Sequence, residues 1–132
     1  MKAILFFLAL LSLPTACSAS ENDDVVDPVV VNKLTSEMDD VLVEIQATIG
    51  SAACSMAKQC GVLPIGHKPC GGPSSHMPYS TQDTDVTQLM ALAQQHRNLN
   101  RELNRVTGAM SDCSIVIAPK VNCVEGACQL VQ

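Results

Sequence analysis

Residues 85–113 read DVTQLMALAQQHRNLNRELNRVTGAMSDC. Leu89, Leu92, His96, Leu99, Leu103, Val106, Met110 and Cys113 recur in this stretch at spacings of three and four. That spacing is the signature of an amphipathic helix with a coiled-coil-like seam. Asp85 and Gln88 stand where a capping box would start it. A second apolar stripe lies upstream, at Val31, Leu34, Met38, Val41, Leu42, Ile45, Ile49, Ala52, Ala53, Met56 and Cys60. Asp27-Pro28 opens that stripe with an N-cap residue and a proline suited to the first turn, and Gly61 is placed to close it. The stripe predicts one helix of roughly 33 residues, near 50 Å long if straight. Gly50-Ser51 is the place where it would bend. Two such helices bury their stripes against each other, in either relative direction, because the connection between them is long.

That connection, residues 61–84, holds Pro64, Gly66, Pro69, Gly71, Gly72, Pro73 and Pro78, too many breakers for a helix. Beyond the second helix the period changes. Val121-Asn122-Cys123-Val124 and Ala127-Cys128-Gln129-Leu130-Val131 flank Glu125-Gly126, which reads as a two-residue β-hairpin with Cys123 opposite Cys128. The expected fold is therefore mainly α. Two long amphipathic helices are joined by a Pro/Gly-rich loop, followed by a short C-terminal β-hairpin, and residues 28–132 form one disulfide-stapled domain.

Seven cysteines sort into one and six. Residues 1–16 have the charge, apolar run and small residues of a signal peptide, and the run from Ala3 to Leu13 is too short to span a bilayer. Leu13-Pro14-Thr15-Ala16-Cys17 resembles a lipobox, with Pro14 a departure from the pattern. Read that way, Cys17 is lipidated, residues 17–27 are an acidic tether, and the protein is anchored at the outer membrane. Cleavage after Ala19 would instead release a soluble periplasmic protein. Either route sends Cys54, Cys60, Cys70, Cys113, Cys123 and Cys128 to an oxidising compartment as disulfide candidates. Cys60–Cys70 is one expected pair, bridging the Pro/Gly-rich turn. Cys123–Cys128 across the hairpin is a second, which leaves Cys54 with Cys113. The alternative gives Cys54 and Cys113 one hairpin cysteine each. Cys54 and Cys60 cannot pair while both are helical.

Composition excludes several functions. The two phenylalanines, Phe6 and Phe7, leave with the signal, so Tyr79 is the one aromatic residue of the exported chain and the core must be aliphatic. The full chain has 8 Lys and Arg against 13 Asp and Glu. Loss of Lys2 makes the balance more acidic still. Few aromatics and a negative charge argue against nucleic acid as a partner.

The run from Cys60 to Pro73, followed by Tyr79-Ser80, resembles a group of small exported bacterial proteins that carry C-x9-C-G-G-P before a Tyr-Ser pair. The resemblance implies export, a cysteine framework and helical content, and carries no active-site residue.

Three sets of side chains are candidates for chemistry. His67, His76 and Met77 on the Pro/Gly-rich connection could hold copper or zinc, although His67-x2-Cys70-x5-His76 matches no tight ligand motif. His96, in the helical seam, is expected to pack between helices with one nitrogen hydrogen-bonded. Arg97, Arg101 and Arg105 form a ridge that the seam register turns away from the first helix, a surface for an acidic partner. No hydrolase constellation, C-x-x-C pair or cofactor motif is present. The reading is a non-catalytic cell-envelope module that binds a protein or other ligand, without a cofactor. An envelope metal-binding protein using His67, His76 and Met77 is the alternative.

Overall fold

The computed structural model describes residues 26–131; the expected signal peptide, Cys17 and most of the expected acidic tether lie outside them. The first helix, α1, runs Pro28–Ile49 with Asp27 as N-cap, its carboxylate accepting the Val29 N–H at 2.8 Å. It stops at Gly50, whose φ of 57° leaves the helical region. The expected continuation to Cys60 does not form. Ala52, turned back by a left-handed φ of 51°, and Cys54 are both buried, and they flank the Ala53 bridge to Ala127 of the C-terminal hairpin. Cys128 N–H donates to the Ala52 carbonyl at 2.8 Å, and Cys54 N–H donates to the Gly126 carbonyl at 2.9 Å. A short 3-10 turn, Ala57–Gln59, follows.

The Pro/Gly-rich connection is a β-hairpin. Strand β1, Cys60–Ile65, pairs antiparallel with β2, Ser75–Ser80. Two prolines are tolerated for a definite reason. Thr81 N–H donates to the Gln59 carbonyl at 2.7 Å, which fixes the alternation of the ladder. Val62↔Pro78 and Pro64↔His76 then fall at non-hydrogen-bonded pairs, where no N–H is required. Gly61 is no helix stop; it lies opposite Tyr79, whose ring covers it so closely that a Cβ there would collide.

Helix α2 runs Val86–Thr107, with Asp85 accepting the Gln88 N–H at 3.0 Å. It ends one turn earlier than the apolar pattern suggests, at a left-handed Gly108. Met110 and Cys113 are therefore off the helix, and Met110 is 95% exposed. The helices are antiparallel, since Val26, Asp27 and Val30 line one cleft with Arg105 to Gly108. Strands β3, Lys120–Val124, and β4, Ala127–Val131, form the expected hairpin with Cys123 opposite Cys128. Two helices and two hairpins make an α+β fold, which overturns the mainly α expectation.

The pairing of cysteines also differs. The bridges are Cys54–Cys123, Cys60–Cys128 and Cys70–Cys113. Cys60 begins β1 whereas Cys70 lies beyond its far end, about 20 Å of strand away, so Cys60–Cys70 is impossible. Cys123 and Cys128 share a face, and each reaches past the other to the segment after α1. Cys54–Cys113 fails with them, because Cys113 is held at the tip of the first hairpin.

The core is aliphatic, as composition demands. Ile45, Leu63 and Leu89 are fully buried, with Val41, Ile49, Ile65, Leu92, Ala93, Cys54 and Cys128 around them and Tyr79 on the rim. Because Tyr79 seals the core by lying on Gly61, Gly61→Ala should lower the unfolding free energy, read from urea titration, by about 1–3 kcal/mol. The same substitution in a Tyr79→Leu background should cost much less, a coupling that a double-mutant cycle measures.

Candidate functional site, a cationic cleft at the first hairpin tip

The site begins with a repeat in α2. Leu99-Asn100-Arg101 and Leu103-Asn104-Arg105 place each residue type on its own side of the helix, because four residues are one turn. Leu99 packs on the core. The asparagines grip the tip of the first hairpin. Asn100 Oδ1 accepts the His67 N–H at 2.6 Å, and Asn104 Nδ2 donates to the His67 carbonyl at 2.6 Å. The approach requires Gly66, which has φ 75° and sits so close that a Cβ would lie 3.0 Å from Asn100 Oδ1. A second lock holds the tip to the chain after α2. Lys68 Nζ donates to Asp112 at 2.9 Å and to the Ser114 carbonyl at 2.7 Å, beside the Cys70–Cys113 bridge. The Lys68 ammonium, together with the Ser114 N–H and hydroxyl, holds the Asp112 carboxyl well below the usual carboxylate range.

With the tip fixed, His67, Pro69, Arg101, Asn104, Arg105 and Ala109 line a cleft of about 250 Å³. Arg105 forks onto Glu102, with Nε 2.9 Å from Oε2, and this hydrogen bond lowers the Glu102 pKa. Arg97 donates to Gln94 at 2.9 Å. Among the described residues Arg101 has neither an ion pair nor a hydrogen bond, and it is exposed. Arg105 also borders a second, open cleft of about 670 Å³ between the start of α1 and the end of α2. An arginine and an imidazole converging on one cleft suit a carboxylate or phosphate. The arginine ridge is legible in the sequence; the docking role of the asparagines is not, and their four-residue repeat is the signal that marks them.

The other candidates do not converge. His76 and Met77 are neighbours in β2, so their side chains leave opposite faces of the sheet, and Met77 packs against the core. His67 lies beyond the strand end, its backbone held by Asn100 and Asn104 of α2. The one group of three His, Cys, Asp or Glu that converges among the described residues is Cys54, Cys60 and Cys128, all in disulfides. His96 is buried as expected, but the expected hydrogen bond is missing: among the described residues neither ring nitrogen has a partner, and Nδ1 is fully buried. Burial pushes its pKa down, partly countered by Asp39.

No protein family, curated protein or solved structure matches this chain.

Two measurements check this geometry. Asn100→Ala removes the acceptor of the His67 amide and should accelerate hydrogen exchange there, read by NMR, while amides in the middle of α2 stay protected. The second concerns pH. A depressed His96 pKa means the unfolded chain binds a proton that the folded chain resists, so stability is full above pH about 6.5 and falls as pH drops toward the folded value. The melting temperature should decline on acidification through that window, and His96→Leu should flatten the decline. Loss of the Asp112 lock comes separately, below the ordinary carboxylate range.

Proposed function

We propose that the protein is an exported, non-catalytic binding module that holds an anionic group of its partner, a carboxylate or phosphate, in the His67–Arg101–Arg105 cleft. One observation carries this reading: the asparagine grip on His67 fixes a cleft in which Arg101 has no internal partner. The charge distribution supports it. Helix α1 bears Lys33 against Glu37, Asp39, Asp40 and Glu44, whereas α2 bears Arg97, Arg101 and Arg105 against Glu102. An acidic protein that gathers its arginines on one helix face presents a local attraction for anions.

Three disulfides fit an oxidising, non-cytoplasmic compartment, and no described helix is long and apolar enough to cross a membrane. The signal-like start and the resemblance to small exported bacterial proteins support residence in the cell envelope. The lipobox-like sequence supports an anchor at Cys17, with α1 beginning eleven residues later.

Titration of the isotope-labelled chain with inorganic phosphate and with acetate tests the cleft. Chemical-shift changes should centre on His67, Arg101 and Arg105 and weaken with added salt. Arg101→Ala should reduce affinity about tenfold, the loss of one charge-assisted hydrogen bond. Equal shifts in wild type and Arg101→Ala would reject the site.

A further inference from the structure

Between α2 and β3 the chain reads Ser114-Ile115-Val116-Ile117-Ala118, a β-branched run with no helix, turn or ladder. Ile115 and Ile117 are 88% and 83% exposed, while Val116 is half-buried. Among the described residues, the backbone groups of Ile115 to Ala118 find no hydrogen-bond partner. Yet the run is held at both ends. The Cys70–Cys113 bridge and the Lys68 bonds to Ser114 fix its start, and Lys120 enters the β3–β4 hairpin at its finish. The sheet that the run leads into is open on the strand it joins: β4 is covered by a bridge from Ala53 to Ala127, whereas among the described residues no second strand hydrogen-bonds to β3. An edge that is both fixed and unpaired is a template for strand addition, and its fixed ends reduce the ordering cost of pairing.

We propose that this edge pairs with the same edge of a second copy of the chain, antiparallel about a two-fold axis at Val116. The sequence is nearly symmetric about that residue, so Ile115 of each copy falls opposite Ile117 of the other. Four isoleucines then gather on one face of the new two-stranded sheet. Charge selects the direction. Lys120 follows the run, and Asp112, bonded to Lys68 yet with its side chain 72% exposed, precedes it, so antiparallel pairing sets each Lys120 near the other copy's Asp112. Parallel pairing would set the two Lys120 side chains together. Residues 113–119 carry no charge, although edges that must stay single usually carry one. A two-fold contact is self-limiting, because each edge is used once. Its size lies below the roughly 1,200 Å² of standard interfaces, so the dimer is reversible and forms at high concentration.

Sedimentation of the exported, oxidised chain from about 10 µM to about 1 mM tests the proposal, a range that brackets weak association. The weight-average mass should climb toward twice that of the monomer. Ile117→Lys and, independently, Ile115→Lys should each raise the dissociation constant at least about tenfold with an unchanged far-UV circular dichroism spectrum. Lys120→Glu should weaken the dimer less, and less still at high salt. A monomeric mass across the whole range overturns the proposal. So does a dimer that both isoleucine variants leave intact, because its contact then lies elsewhere.

Discussion

Everything else in this fold depends on one cross-strand pair. Cys123 and Cys128 face each other across a two-residue turn and leave the hairpin on the same side. Instead of joining each other they reach Cys54 and Cys60, at sequence separations of 69 and 68 residues. A direct Cys123–Cys128 bridge would close a short loop and constrain little. The observed bridges each close a loop of nearly seventy residues, and loop-closure arguments place the stabilisation of such a crosslink at about 4 kcal/mol. A core with no phenylalanine or tryptophan has need of it. The same two bridges fix the end of α1, the start of β1 and the last hairpin against one another, and the remaining packing follows from that arrangement.

Local signals survived into the structure wherever one residue decides the outcome. Asp27-Pro28 and Asp85 start helices, and Glu125-Gly126 makes the turn, with φ values of 50° and 81°. Apolar periodicity misled at both helix ends. Past Gly50 the stripe of Ala52, Ala53, Met56 and Cys60 still fits a helix, but Ala52 and Cys54 are buried by pairing with β4. Past Gly108 the pattern reaches Met110 and Cys113, which Gly108 has already turned out of the helix. In both places a glycine ended the element while spacing continued. Pro64 and Pro78 concealed the first hairpin for a different reason. A proline is excluded only from half the positions of a two-stranded ladder, and which half is decided by register, which is not a local property.

The candidate site was half visible in the same sense. The outward turn of Arg101 follows from the seam alone. The role of Asn100 and Asn104 does not, because their partner is the main chain of His67, more than thirty residues away. A backbone partner leaves no side-chain signature in the sequence. Polar residues repeated every four positions beside an apolar seam are the trace that such docking leaves behind.

The hairpin tip ties the two proposed surfaces together. His67, gripped by α2, forms one wall of the cationic cleft. One residue on, Lys68 reaches the opposite way to Asp112 and Ser114, and Cys70 bonds Cys113, so the same short segment also fixes the start of the open edge. The Lys68 side chain is only 16% exposed and spends its three donors within this lock rather than in the cleft. Its charge is therefore committed to architecture, which leaves Arg101 as the cation free to meet a ligand. Two backbone bonds to α2, one ammonium and one disulfide thus divide the labour of a glycine-rich loop, whose glycines supply the turns and whose other residues supply the anchors.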